Sequence, residues 1–309
     1  MTLAELNDHF ALPGVLRFDE QAGLAFAQIT LPNCTATVSL HGAQLTHWQP
    51  AGQAPVLFLS ERAVFADGKA IRGGIPISFP WFAARRDGHP GPSHGFARLQ
   101  TWEPAFAALV PSRAPADAPT LHLTFTLAPS ALSRSLGFDH FRLACEMIFG
   151  REDTVTLRLS VANAGEKPLH VEEAFHAYFA VQEVEAVRVA GLEAAAYLDK
   201  TADTGADIAP SEPSTFTAAT DSVFAANVSA VTLQDPGHHR SIAISKSGSA
   251  STIVWNPWQT GAAKLADLSP EDWRHFLCIE AANTGSDAIT LMPGQAHAMQ
   301  MEISVTPTS

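Results

Sequence analysis

Residues 121–127, LHLTFTL, and residues 154–161, TVTLRLSV, decide the fold class. In the first, Leu121, Leu123, Phe125 and Leu127 alternate with His122, Thr124 and Thr126. In the second, Val155, Leu157, Leu159 and Val161 alternate with Thr154, Thr156, Arg158 and Ser160. Successive side chains of a strand point to opposite faces, so each segment reads as a strand with one apolar and one polar face. Shorter runs of the same kind occur near 24–31, 35–40, 141–149, 240–245, 251–255, 287–292 and 298–305, each bounded by Gly, Pro, Asn or Asp. That punctuation is characteristic of antiparallel sheets. Helical signals are few: Leu3–Phe10 behind a Thr2 cap, and Pro270–Phe276 after Ser269 with proline at its first position. No strand–helix alternation and no GxGxxG after a strand appear, which disfavours a doubly wound nucleotide fold. The Ala/Pro-rich stretch Ala105–Pro119 is predicted as a long hairpin loop, and Thr201–Thr220 as a second soft stretch. The expectation is all-β: a large antiparallel β-sandwich with a few short helices, in one domain over residues 1–309.

With 46 % apolar and only 16 % charged residues, the chain has ample material for a core. Its net charge of −12 argues against a nucleic-acid or membrane-surface partner, because polyanions would be repelled over most of the surface. Cys34, Cys145 and Cys278 are odd in number and widely spaced, which fits a reducing compartment better than a disulfide framework. The N-terminus, MTLAELNDHFALPGV, has no basic start followed by an apolar run, and no window approaches the ~18 apolar residues of a membrane span. A cytoplasmic protein is expected.

Against this acidic background, residues 69–98 read KAIRGGIPISFPWFAARRDGHPGPSHGFAR. Lys69, Arg72, Arg85, Arg86 and Arg98 face a single acid, Asp87. The many glycines and prolines suit a shaped loop over a pocket, and the charge suits a small anion. Arginine's planar fork can donate two hydrogen bonds to a phosphate at once, though Arg72 and Arg98 are open to surface or ion-pair roles as well. Arg85-Arg86-Asp87-Gly88 reads as an exposed turn.

Two strands carry candidate chemistry. In VEEAFHAYFAV, 171–181, read as one strand, His176 leaves the Phe175/Phe179 face and shares the other with Glu172, Ala174 and Tyr178. That arrangement offers a titratable ring, space, and an aromatic surface for a sugar; a histidine satisfied within a polar sheet face is the plainer reading. In FLCIEAAN, 276–283, Glu280 shares a face with Phe276 and Cys278. A carboxylate among apolar neighbours must be paired, hydrogen-bonded or raised in pKa, and a raised pKa suits a general base; a sheet-end glutamate facing water is the alternative. His238-His239 and His89/His94 lack metal-ligand spacing, and GxSxG, HExxH and P-loop motifs are absent. Trp255, Trp258 and Trp273 are read as core or as a stacking platform.

Taken in order, IRGGIPISFPWF, PSHGFAR, TWE, EEAFHAYF, TDSVF, IVWNPW and CIEAANT resemble the D-hexose-6-phosphate mutarotase (glucose-6-phosphate 1-epimerase) family of the galactose mutarotase-like superfamily. The resemblance runs from HGAQLTHWQP at 41–50 to the last strands. It implies a galactose mutarotase-like supersandwich and interconversion of the α and β anomers of a hexose 6-phosphate, most simply glucose 6-phosphate. It implies His176 and Glu280 as catalytic residues, and Arg72, Ser93, His94, Arg98 and Asp221 as substrate-binding residues. Ser93 stands where the family often has Gln, Ala281 where Pro is expected, and Ser222 where Arg is common. No metal or other cofactor is implied, and the expected partner is a small sugar phosphate bound by a monomer. The mechanism so implied has Glu280 as base at the C1 hydroxyl and protonated His176 as acid at the ring oxygen. A mutarotase of a non-phosphorylated aldose such as galactose or glucose, and a non-catalytic carbohydrate-binding protein, are the alternatives.

Overall fold

The structure, a computed structural model, describes residues 1–111, 118–151, 153–193, 195–201, 207–208, 214–224 and 228–308. The two segments of clean alternation lie in one eight-stranded sheet. Its order is Arg188–Ala190, Ala230–Asp235, Arg240–Ser247, Ala296–Pro307, Thr154–Asn163, Phe141–Arg151, Thr120–Leu127 and Glu103–Val110. Every neighbour is antiparallel.

A second eight-stranded sheet carries the candidate residues and is called the site sheet below. It runs Asp207–Ile208, Tyr197–Asp199, Thr220–Phe224, Ser251–Asn256, Phe276–Asn283, Glu173–Phe175 and Ile77–Ser78, with Tyr178–Ala180 also paired to Phe276–Asn283. A four-stranded sheet, Leu16–Gln21, Leu24–Leu31, Cys34–Ser39 and Gln44–Pro50, and a two-stranded ribbon, Leu169–Val171 with Ile289–Leu291, complete the described strands.

One apolar core joins the large sheets. Leu123, Phe125, Leu157, Leu159, Met301 and Ile303 from the first meet Phe175, Phe179, Leu277, Ile279 and Ala281 from the site sheet. Each of these Leu, Ile, Met and Phe side chains contributes about 1.5–3 kcal/mol when fully buried. Leu277, Ile279 and Ala281 share one side of their strand, so Cys278 and Glu280 point to the other side of the site sheet. The three cysteines are buried free thiols.

The Leu3–Phe10 helix forms as the sequence indicates, with Thr2 and Glu5 completing a reciprocal capping box. Two expectations are corrected. Glu103–Val110 is a strand, so the predicted loop at Ala105–Pro119 begins too early. This is an edge strand paired on one side only, and its largely exposed residues lack apolar alternation. Residues 112–117 of that loop lie outside the described residues, as do 202–206 and 209–213 of the Thr201–Thr220 stretch. The region Pro270–Phe276 holds only a 3₁₀ turn, Asp272–His275, and Phe276 already begins the next strand. Asp272 holds that turn down by accepting the Ser269 N–H at 2.7 Å and the Ser60 hydroxyl at 3.0 Å. No helix among the described residues is long and apolar enough to cross a membrane.

Candidate active site

The segment 171–181 is not one continuous strand. It breaks at His176-Ala177, between Glu173–Phe175 and Tyr178–Ala180. The register nevertheless carries through: Phe175 lies opposite Ala281 and Tyr178 opposite Cys278, which puts His176 opposite Glu280. At the break, the His176 N–H turns to the Pro76 carbonyl at 2.9 Å and the Tyr178 N–H to the Gly74 carbonyl at 2.9 Å. The sheet thus juxtaposes two residues that are 104 apart in the chain (280 less 176).

His176 Nε2 lies 3.5 Å from Glu280 Oε1, with side chains 7 % and 1 % exposed. Among the described residues neither Glu280 oxygen has a hydrogen-bond partner, and nor does His176 Nδ1. Glu280 stands within the fully buried strand Phe276–Asn283, so the reading of a sheet-end glutamate facing water does not hold. Burial pushes the Glu280 carboxyl well above its ordinary range, and the nearby Asp221 adds to this against the charges of Lys200 and Arg98. Burial also pushes His176 well below the ordinary histidine range, with Arg98 and Arg72 acting the same way. Both shifts favour the neutral forms of the two side chains.

Tyr178 does not serve as a sugar platform. It stacks beneath His176 at 4.9 Å and 10°, is buried, and accepts a hydrogen bond from Arg72 Nη1 at 2.9 Å through its hydroxyl. Trp255 is half-buried and meets His176 edge-on at 5.8 Å. Trp258 and Trp273 instead pair with each other at 4.4 Å, so the three indoles do not form one surface.

The basic stretch 69–98 is more deeply woven into the fold than a loop over a pocket. Ile77–Ser78 is a strand of the site sheet, and Ile71, Ile75, Phe79, Trp81, Phe82 and Phe96 are buried. Gly73 and Gly74 both take positive φ, and a Cβ on either would collide with backbone at 58–59 or 45–46. This is why IRGG can hold Arg72 against the sheet. A Cβ on Gly95 would overlap the Phe79 carbonyl, so the turn before Arg98 packs directly on residue 79. Arg85 is bound to Asp87 through two hydrogen bonds of 2.7 and 2.6 Å and lies over Trp81 at 4.9 Å. Only Arg86 and Asp87 of that pair of candidates and its acid are openly exposed.

The predicted binding residues divide by how fully they are satisfied. Arg72 is bonded to Asp267 at 3.1 Å as well as to Tyr178; these partners outweigh burial and keep it charged. Arg98 donates from Nη2 to the Ser93 carbonyl at 2.8 Å, while its buried Nε has no partner among the described residues. Burial and Arg72 push it down to about 10, still charged at neutral pH. Ser93 therefore acts through its backbone on Arg98, with its side chain on the exposed turn. His94, at φ 61°, has its Nδ1 3.3 Å from the Ala83 N–H and 3.3 Å from the Ser78 hydroxyl. A backbone N–H can only donate, so Nδ1 is the acceptor and the neutral ring carries its proton on Nε2. Burial, then Arg98 and His176, hold His94 well below the ordinary histidine range and so in that neutral form. Asp221 faces the same side as Trp255, its partner in the ladder, and burial raises its pKa.

Sequence reasoning missed three contributors. Glu172 accepts the Phe82 N–H at 2.8 Å, the Gly285 N–H at 2.7 Å and the Thr284 hydroxyl at 3.0 Å, tying the 80–83 segment to the sheet. Phe82 packs edge-on against His94 at 4.7 Å and lies 6.4 Å from His176. Asp267 neutralises Arg72 from a segment with no motif around it.

The geometry is that of a buried histidine–glutamate pair flanked by arginines and a neutral histidine. The family model for aldose 1-epimerase matches residues 27–304. The chain belongs to the aldose 1-epimerase family. Relatives carrying the name "Putative glucose-6-phosphate 1-epimerase" include one from Cenchrus ciliaris, 30 % identical over 277 residues, which are 90 % of this chain and 83 % of that protein. Another is from Escherichia coli K12, 30 % identical over 270 residues, 87 % of this chain and 86 % of that protein. The crystal structure of a "putative mutarotase (YeaD)" from Salmonella typhimurium superposes with a TM-score of 0.83 at 26 % identity over 96 % of each chain. A galactose mutarotase related enzyme from Lactobacillus acidophilus shares the fold, with a TM-score of 0.68 at 13 % identity over 91 % of this chain and 97 % of that one. The epimerase thus has the all-β, galactose mutarotase-like fold expected from its sequence, and it is a sugar isomerase.

Proposed function

We propose that the epimerase interconverts the α and β anomers of a hexose 6-phosphate, glucose 6-phosphate first, using His176 and Glu280. The observation that carries this reading is the buried, otherwise unpartnered pair 3.5 Å apart beside Arg98, whose Nε lacks a partner. One galactose mutarotase-like domain over residues 1–309 carries the activity.

In the reactive form the pair is ionised, with carboxylate on Glu280 and a proton on His176. Glu280 takes the proton from the C1 hydroxyl while His176 gives its own to the ring oxygen. The C1–O5 bond breaks, leaving an aldehyde at C1 and a hydroxyl on C5. Both side chains are now neutral, which is the state their burial favours. The site therefore stabilises the ring-opened sugar relative to the closed one. Rotation about C1–C2 and return of both protons close the ring on its other face. His94, through Nε2–H, and Asp221 hold hydroxyls in register, and Arg98 and Arg72 supply the positive charge that an anionic sugar needs.

The pH dependence follows from the directions of the two shifts. The pair works with one shared proton. A second enters only when His176 protonates, below the ordinary histidine range; the last leaves only when Glu280 ionises, above the ordinary carboxylate range. A plot of kcat/KM against pH is expected to be a broad plateau with its acid limb below about 6.5. Glucose is run in parallel, because the substrate phosphate itself titrates near pH ~6. An acid limb above the ordinary histidine range with both sugars would show a standing ion pair and contradict this assignment.

The substrate class is tested by following anomer exchange by NMR on glucose 6-phosphate and glucose. The expected result is a kcat/KM at least about ten-fold higher for the phosphate ester, equivalent to about 1.4 kcal/mol. Equal values, or a preference for glucose, would make the enzyme a mutarotase of free aldoses.

A further inference from the structure

We infer that Lys200 is a specificity-determining cation of this site, one that acts beside the arginines to recognise the 6-phosphate and to separate sugar phosphates from free sugars. The inference rests on the hexose 6-phosphate reading above and adds a residue that the motifs did not reveal. Lys200 follows directly on the strand Tyr197–Asp199 of the site sheet, and its N–H donates to the Asp221 carbonyl at 2.8 Å. Its Nζ lies 5.3 Å from the centroid of the Phe82 ring. That ring is the one packed against His94 at 4.7 Å and lying 6.4 Å from His176. The ammonium therefore lies against a ring that also neighbours His94 and His176, on an exposed residue at the rim of the site.

Three cations influence the His176–Glu280 pair: Arg72, Arg98 and Lys200. Arg72 is neutralised by Asp267 and bonded to Tyr178, and Arg98 is anchored to the Ser93 carbonyl through Nη2, with its buried Nε unpartnered among the described residues. Among the described residues Lys200 has no carboxylate within ion-pair distance; its side chain meets the face of Phe82, and the carboxyls that feel its charge are Asp221 and Glu280 of the site. A cation on an aromatic face at an exposed site is held only weakly. A lysine held so weakly, on a flexible stem, can turn toward a phosphate without breaking an ion pair. Phosphate needs a compact positive charge with several donors, and an ammonium supplies three. The remaining reacting atoms of the sugar, C1 and O5, lie with the pair, so a charge at the rim serves the group that takes no part in the chemistry.

The experiment compares wild type, Lys200→Met and Lys200→Arg in NMR anomer exchange on glucose 6-phosphate and glucose, at low and high salt. The wild type is expected to prefer the phosphate ester, with that preference weakening as salt rises. Lys200→Met, which keeps the apolar contact with Phe82, should reduce the ratio of kcat/KM for the two sugars at least ten-fold, mainly through KM, and flatten the salt dependence. Lys200→Arg should restore much of the ratio. A wild type with no preference for the phosphate ester would overturn the hexose 6-phosphate reading and this inference with it. A wild type that prefers the ester while Lys200→Met keeps the same ratio would overturn the role of Lys200 alone.

Discussion

Glu280→Gln and His176→Asn are each expected to bring anomer exchange close to the spontaneous rate, a loss of roughly 10²–10⁴-fold in kcat. The double substitution should cost little more than either single one, because the two groups pass protons to and from one sugar and neither acts without the other. The stability outcome separates chemistry from folding. Glu280 is buried with no hydrogen-bond partner on either oxygen, so removing its ionisable proton removes no native contact. Glu280→Gln should therefore leave the urea midpoint unchanged or raise it, as happens where a site is held at a cost to stability. His176→Asn gives up the stacked contact with Tyr178 at 4.9 Å and is expected to lower the midpoint modestly. A folded Glu280→Gln enzyme that exchanges anomers at the wild-type rate would remove Glu280 from the mechanism.

Arg98→Ala carries the second large effect. The guanidinium keeps one bond to the Ser93 carbonyl and leaves a buried Nε without an acceptor, an arrangement that an oxygen of the substrate would complete. A hydrogen bond to a charged group is worth about 1.5–3 kcal/mol, so KM for glucose 6-phosphate should rise roughly 10–100-fold, and by less for glucose. Arg98 also favours the ionised form of Glu280 and opposes that of His176. Its loss should raise both pKa values and move both limbs of the pH profile toward higher pH, a readout that loss of phosphate contact alone does not produce. Equal increases in KM for the two sugars would place Arg98 on sugar hydroxyls. An unmoved pH profile would show that its charge does not act on the pair.

The sheets were legible because alternation is a local signal. Leu121 to Leu127 and Val155 to Val161 can be read without knowing what they pair with, and both are strands of one sheet. The edge strand Glu103–Val110 was not legible, since one of its edges and most of its side chains meet solvent and impose no apolar pattern. At the site, the ordered motifs supplied the names of His176 and Glu280, but not their relation. That relation depends on a register held across the break at His176-Ala177, which no local pattern encodes. The same holds for Tyr178, whose role is set by Arg72 and His176 rather than by its neighbours in sequence. Asp267 and Glu172 act through contacts 195 and 90 residues away, with Arg72 and Phe82 respectively. Burial itself, which moves Glu280 up and His176 down, is a property of the folded sheet and not of the CIEAANT or FHAYF strings.

The most direct measurement is two-dimensional exchange NMR on glucose 6-phosphate labelled at C1, recorded with wild type and with Glu280→Gln. The expected result is strong exchange between the α and β C1 resonances with wild type, at a rate proportional to enzyme, and exchange no faster than the enzyme-free sample with Glu280→Gln. Wild-type enzyme that leaves the exchange rate at its spontaneous value, or a Glu280→Gln enzyme that matches wild type, would contradict the assignment of this pair to anomer exchange on a hexose 6-phosphate.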